Sequence, residues 1–89
     1  MAKAFRIQRY EEADTLILRL SGDLDGSSAC ELTQHLERSD SRFPHIIIDA
    51  HRLGSVHPFG RAVIEKTMER CRSRGRRLDL QGRSELFAA

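Results

Sequence analysis

The stretch that decides the fold runs from Pro44 to Gly60 and reads PHIIIDAHRLGSVHPFG. Pro44 imposes an extended entry, and the three isoleucines at positions 46–48 form a β-branched run that ends at Asp49. A short continuous apolar run of this kind is typical of a strand buried on both faces, as in the middle of a parallel sheet. The segment therefore predicts a central parallel strand.

The second half of the stretch predicts a loop from Leu53 to His57, followed by a helix. Pro58 suits the first helical position, because an amide there would have no helical partner in any case, and His57 then falls at the N-cap. The helix is expected to run to about Arg74, with Gly75 as the left-handed residue that ends it. Its apolar stripe is predicted to comprise Phe59, Ala62, Val63, Ile64, Met68 and Cys71.

The residues before this stretch predict two paired strands and a first helix. Apolar and polar side chains alternate over residues 5–10 and 15–20, and small and acidic residues are expected to break the second strand after Leu20. The helix is expected to start near Ser27 or Ser28, with Ser28 and Glu31 as a capping box, and to end around residue 38. Its inward stripe is predicted to be Ala29, Leu32 and Leu36.

The residues after it predict a last strand at Leu78 and Leu80 and a truncated C-terminal helix over residues 84–89. The element order is then strand, strand, helix, strand, helix, strand. Helical crossovers between successive strands imply parallel pairing with right-handed connections. The predicted fold class is α/β, with one domain over residues 1–89 and a mixed, mostly parallel four-stranded sheet.

Length and composition exclude several classes of protein. The 89 residues suffice for one small core but not for a large enclosed cavity. The longest apolar runs are far below the ~20 residues of a membrane span and no signal-peptide core is visible, so we expect a cytoplasmic protein without a membrane span. Residues 61–83 hold eight basic and three acidic side chains, but no interleaved aromatic residue could stack a base, so no nucleic-acid binding is expected. Cys30 and Cys71 are expected to be buried thiols.

Two segments resemble a known family. Residues 18–25 read LRLSGDLD, a strand followed by a Gly, acid, Leu, Asp turn, and the run that ends at Asp49 is followed by apolar Leu53 and Val56. Both segments resemble the STAS domain shared by anti-sigma-factor antagonists and the cytosolic tails of sulfate transporters, and the resemblance covers nearly the whole chain. It implies a non-enzymatic regulatory module without a cofactor that binds a protein partner, typically an anti-sigma kinase-like protein.

The sequence departs from the family at its regulatory centre, which is usually an acid, a phosphorylatable Ser or Thr, a variable residue and a Gly at the start of the second helix. Here the four positions are His57, Pro58, Phe59 and Gly60. Because proline has no oxygen to phosphorylate, the resemblance implies a member without the usual switch. Ser55 is the one hydroxyl nearby, but it lies upstream of the helix start, where free amides would hold a phosphate.

The predicted partner-binding surface lies at the edge where the parallel strands end, which is where α/β folds expose their functional residues. It comprises Asp23, Asp25, Ser27, Ser55, His57, Pro58, Phe59, Arg61 and Glu65. Turn formation and helix capping explain Asp23 and Asp25 equally well, and Phe59 is either a core residue or an exposed anchor. A STAS subunit of a larger assembly, such as a lipid-transport ABC ATPase or a signalling complex, is the alternative function.

Catalytic and metal sites are not predicted. Asp49, Ser55 and His57 are the residue types of a hydrolase triad, but residues two apart in an extended segment do not converge on one substrate. A small hydrolase or ligand-binding enzyme is therefore the least favoured class. The histidines at 45, 51 and 57 lack the spacing of zinc ligands on a helix face or a knuckle.

Overall fold

The computed structural model describes residues 4–38 and 43–83. Its elements are β1 (Arg6–Glu12), β2 (Thr15–Leu24), α1 (Gly26–Arg38), β3 (His45–Val56), α2 (Pro58–Ser73) and β4 (Arg77–Gln81). The strands form one sheet in the order β1-β2-β3-β4, in which β1 is antiparallel to β2 while β2, β3 and β4 are parallel. The predicted α/β fold and mostly parallel sheet are confirmed. The predicted helix over residues 84–89 lies outside the described residues.

The hydrophobic core lies between one face of the sheet and the two helices. Alternate residues of β2 and β3 are buried, and they share a single cluster with residues from both helices. Ile17 and Ile47 point to the other face, are only half-buried and lie outside that cluster. The prediction that the isoleucine run is buried on both faces is therefore wrong at Ile47. The principal cluster members are Leu16, Leu18, Leu20, Leu32, Leu36, Ile46, Ile48, Ile64, Met68 and Leu78.

Both central strands extend through segments predicted as turns or loops. β2 continues to Leu24 and β3 to Val56, because Gly22 pairs with Leu53 and Leu24 with Val56 in the parallel ladder. Register shifts on either side of Gly22 absorb the irregular backbone, and Gly22 itself has a φ of 85°. Pairing with a neighbouring strand thus overrides the local turn signals.

Helix α1 begins at Gly26, and its cap differs from the predicted one. The Ser28 amide donates to Oδ1 of Asp25 at 2.9 Å, and the Ala29 amide donates to the Asp25 carbonyl oxygen at 2.9 Å. Asp25 is therefore the capping residue, and the predicted capping box of Ser28 with Glu31 is wrong. A carboxylate at the turn before the helix can reach the same free amides as a serine inside it.

Helix α2 begins at Pro58 with His57 as its N-cap, and Gly75, with a φ of 81°, follows its C-cap, as predicted. The predicted inward stripe is too wide. The buried residues are Gly60, Ile64, Thr67, Met68 and Cys71, whereas Phe59 is 63% exposed. Because Gly60 occupies the inward position, Phe59 is turned about 100° away from the sheet. Cys71 is buried but Cys30 is exposed, which corrects the prediction of two buried thiols.

Candidate functional site

The two helices begin side by side at the edge where β2 and β3 end. The His57 amide donates to the Leu24 carbonyl oxygen at 2.8 Å, which ties the β3–α2 junction to the end of β2. Gly60 lies against the backbone before α1, so close that a Cβ there would be 2.8 Å from the carbonyl oxygen of Asp25. Only a residue without a side chain lets the two helix starts approach this closely.

Each helix start is fixed by a side-chain cap. The backbone amide of Ser28, with its hydroxyl, holds the pKa of the Asp25 carboxyl below its usual value. Nδ1 of His57 accepts a hydrogen bond from the Phe59 amide at 3.2 Å, so in this geometry that nitrogen carries no proton. Both caps leave the backbone at this edge with little freedom.

The Phe59 ring lies over Gly26 of the neighbouring helix. A Cβ at Gly26 would be 2.8 Å and 3.0 Å from two carbons of the ring. Around the ring is a shallow depression of about 510 Å³. We call it the helix-end surface, and it is lined by Asp25, Gly26, Ser27, Cys30, His57 and Phe59.

The other predicted site residues surround this surface without lining it. Asp23 and Ser55 are paired across β2 and β3, and the Asp23 carboxylate lies against Gly54, where a Cβ would be 2.8 Å from its Oδ1. Arg61 and Glu65 form an ion pair at 4.0 Å further along α2. Pro58 occupies the first position of α2, between the cap and the ring.

Gly26 and Cys30 belong to the surface but were not predicted. Both lie in the first turns of α1, four residues apart, and therefore share a face of that helix. No local sequence signal identifies them, because their place in the surface depends on Phe59 of α2 packing against Gly26 of α1.

The Asp and His residues considered for catalysis or metal binding each bind a different partner and do not form one site. Asp49 binds His51, with 2.6 Å between Oδ1 and Nδ1, and Arg19, with 3.3 Å between Oδ2 and Nε. Partial burial acts to raise the pKa of Asp49, but the amide and imidazole of His51 together with Arg19 outweigh it and lower that pKa. His45 binds Asp79 at 2.7 Å, while His57 caps α2. Within residues 4–38 and 43–83, no three His, Cys, Asp or Glu side chains are grouped as metal ligands.

Comparison with known families identifies the class of protein to which this fold belongs. The family model of the STAS domain matches residues 6–87. The chain therefore belongs to the STAS domain family. Among curated proteins, no sequence relative was found. Neither of the two described helices has the length and apolar content needed to cross a membrane.

Solved structures share the fold at low sequence identity. An anti-sigma factor antagonist from Mycobacterium paratuberculosis is 15% identical with a TM-score of 0.76, over 93% of this chain and 71% of that one. An antisigma-factor antagonist STAS domain from Rhodobacter sphaeroides is 17% identical with a TM-score of 0.73, over 92% and 90% of the two chains. Mglu is 18% identical with a TM-score of 0.83, and the match covers 89% of this chain. This chain therefore spans about a fifth of the length of Mglu, since the match covers 20% of the Mglu chain.

Proposed function

We propose that residues 1–89 form a single non-enzymatic STAS regulatory module that binds a protein partner in the cytoplasm through the helix-end surface. Phe59 carries the proposal, because the residue is 63% exposed and its ring is held over Gly26. An aromatic side chain on a rigid base gives a large contact area for little loss of conformational entropy. The capped starts of both helices supply that base.

The charges around Phe59 suit a partner with an apolar pocket and a mixed polar rim. Asp25 carries a carboxylate that is ionised at neutral pH, as an aspartate ordinarily is, and the hydrogen bonds from Ser28 lower its pKa further. Asp23, Arg61 and Glu65 extend the polar rim on the side of the strand ends and along α2. An apolar centre with a polar rim is the usual anatomy of a protein interface.

Pro58 supports a partner interaction that phosphorylation at the helix start does not regulate. The proline provides neither a hydroxyl to modify nor an amide hydrogen to hold a phosphate at this position. Ser55 lies on β3 opposite Asp23, so a phosphate on Ser55 would be placed near a carboxylate. The partner that fits the family resemblance is an anti-sigma kinase-like protein, bound without the usual switch.

Pro58 also favours the second candidate function, a permanent STAS subunit of a larger assembly such as a lipid-transport ABC ATPase or a signalling complex. Permanent association requires no phosphorylation switch. Both candidates use the helix-end surface, and they differ in the protein that the surface contacts. The genes next to the one for this chain would distinguish them: a gene for an anti-sigma kinase-like protein supports the first candidate, and genes for transporter subunits support the second.

The test is the affinity of the chain for the neighbouring gene product, measured by isothermal titration calorimetry. We expect Phe59→Ala to weaken binding by about 30-fold or more, as for an interface hot spot of about 2 kcal/mol or more, with an unchanged Tm. Lys66→Ala is the matched control, because it removes another exposed side chain from α2 away from the helix start. Equal affinities for Phe59→Ala and Lys66→Ala would contradict the proposed surface.

A further inference from the structure

Neither described helix covers the sheet face opposite the core. The side chains on that face form three rows of four across the strands. The register places one residue from each of β1, β2, β3 and β4 in every row. We call these twelve residues the open face. From β1 to β4 the rows are Glu12, Thr15, His45, Arg77; then Tyr10, Ile17, Ile47, Asp79; then Gln8, Arg19, Asp49, Gln81.

Three of the four residues in the middle row of the open face are largely apolar, the fourth is Asp79, and the rows on both sides are polar or charged. Tyr10 is 42% exposed, and Ile17 and Ile47 are half-buried beside it without joining the core. The Arg19 guanidinium carbon lies 5.3 Å from the centre of the Tyr10 ring, and Arg19 also binds Asp49. These side chains are therefore already ordered in the free chain, which lowers the entropic cost of covering them.

Each row is complementary to the same row of a second copy that runs in the opposite direction. Such an arrangement places Arg77 against Glu12 in the first row, Ile47 against Ile17 in the second and Asp49 against Arg19 in the third. The remaining positions match a tyrosine hydroxyl with a carboxylate, a threonine with a histidine and a glutamine with a glutamine. A surface that complements its own reversal can bind an identical surface through a twofold axis.

We propose that the open face binds the open face of a second copy of this chain, about a twofold axis that runs along the strands between β2 and β3. That axis places β1 over β4 of the second copy and β2 over its β3. Glu12 then faces the second copy's Arg77, and Ile17 faces its Ile47. The two sheets pack about 10 Å apart, a distance that the long side chains of Glu12 and Arg77 can span at the corners of the interface.

A twofold axis across the strands is less favourable. It would place each residue of the middle row on the same residue of the second copy, so that Asp79 would meet Asp79. It would also leave Glu12 against Gln8 and Arg77 against Gln81. Like charges that face each other are destabilising, whereas the axis along the strands brings opposite charges together at four points, two from Glu12 with Arg77 and two from Arg19 with Asp49.

The size of the open face sets the strength of the dimer. Four strands spaced about 4.8 Å apart and three rows spaced about 7 Å apart give a face of roughly 15 Å by 15–20 Å. Two such faces have a projected area of roughly 450–600 Å² in total, which is less than the roughly 1,200 Å² at which stable specific interfaces begin. We therefore expect a dimer that dissociates on dilution in the micromolar range rather than a permanent one.

The test exchanges the charges at the corners of the interface and measures mass by sedimentation velocity from about 10 μM to about 1 mM. Wild type is expected to approach twice the monomer mass as its concentration rises. Glu12→Lys and Arg77→Glu are each expected to weaken the dimer about tenfold or more, because each places like charges together at both corners. Their equimolar mixture is expected to restore the dimer, since at one corner the two introduced charges are opposite, and at the other corner the native Arg77 faces the native Glu12.

Glu11→Lys is the matched control, because Glu11 is the next residue of β1 and pairs with Leu16, on the helix side of the sheet. It should dimerise like wild type. A wild-type chain that stays monomeric throughout the concentration range overturns the proposal. Dimers of Glu12→Lys as strong as those of wild type also overturn it, because association would then use another surface or another axis. Far-UV circular dichroism verifies that each variant is folded.

Discussion

Replacement of Gly60 by alanine tests whether the close approach of the two helix starts positions the helix-end surface. A Cβ on residue 60 would lie 2.8 Å from the Asp25 carbonyl oxygen, 3.0 Å from its carbonyl carbon and 3.2 Å from the Leu24 carbonyl oxygen. All three are backbone atoms at the start of a capped helix, so no flexible side chain can move aside. To reach an ordinary contact of 3.4 Å, the helix starts must separate by about 0.6 Å (3.4 − 2.8).

Two effects of opposite sign determine how much Gly60→Ala changes the free energy of unfolding. Alanine is favoured over glycine in a helix by up to about 1 kcal/mol, which would stabilise the variant. Inserting a methyl group into a tightly packed contact costs about 1–3 kcal/mol, and contact with three backbone atoms favours the upper half of that range. We therefore expect Gly60→Ala to lower the free energy of unfolding by about 1–2 kcal/mol net.

Urea denaturation of wild type, Gly60→Ala and Ala62→Gly measures both effects. Ala62 is exposed two residues further along α2, so Ala62→Gly reports the propensity difference alone, about 1 kcal/mol of destabilisation. A Gly60→Ala protein that is more stable than wild type by that same amount would refute the argument, because the contact with Asp25 would then impose no cost. Partner affinity should fall as well, since Phe59 follows the displaced helix start.

Three further predictions concern single groups at the same edge of the molecule. The Ser28 amide lowers the pKa of Asp25, so the ionised cap stabilises the fold above the unfolded-state pKa, and that contribution is lost as the pH falls through the folded-state pKa. Wild type should therefore lose more stability than Asp25→Asn between about pH 6 and about pH 3, and equal losses would contradict this. Incubation with ATP and a neighbouring kinase should leave the chain unmodified by mass spectrometry, whereas stoichiometric phosphate that Ser55→Ala abolishes would show a displaced switch. A thiol reagent should modify exposed Cys30 in the native protein and buried Cys71 only after unfolding, and rapid reaction of both would contradict the packing of α2.

The sequence predicted the strand and helix order because its strongest signals are local. Pro58 and Gly75 mark the two ends of α2, and alternation marks the strands that precede α1. The isoleucine run was harder to interpret, because three β-branched residues look the same whether one face or both faces of the sheet are covered. Only the position of the helices shows that Ile47 lies outside the core.

The site was predicted less well, since its geometry depends on contacts between distant segments. Gly22 and Asp23 are turn formers in isolation, but pairing with β3 makes them part of a strand. Ser28 and Asp25 can both cap α1, and the fold uses Asp25, whose carbonyl oxygen also accepts the Ala29 amide. Phe59 is a residue type usually found in the core, and it is exposed because Gly60 takes the inward position.

The helix-end surface and the open face lie on different sides of the sheet, so use of one leaves the other accessible. In a dimer formed through the open faces, the two sheets lie in the middle and the helices outside, which places the two helix-end surfaces roughly 30 Å apart, with about 10 Å between sheets and about 10 Å for each helix layer. A partner with one binding site gains nothing from such a dimer, whereas a dimeric partner whose sites match that separation gains through effective concentration. Glu12→Lys should therefore weaken binding to a dimeric partner and leave binding to its monomeric form unchanged, while Phe59→Ala should weaken both. Equal effects of Glu12→Lys on both forms would mean that Glu12 contacts the partner directly and that the two surfaces are one.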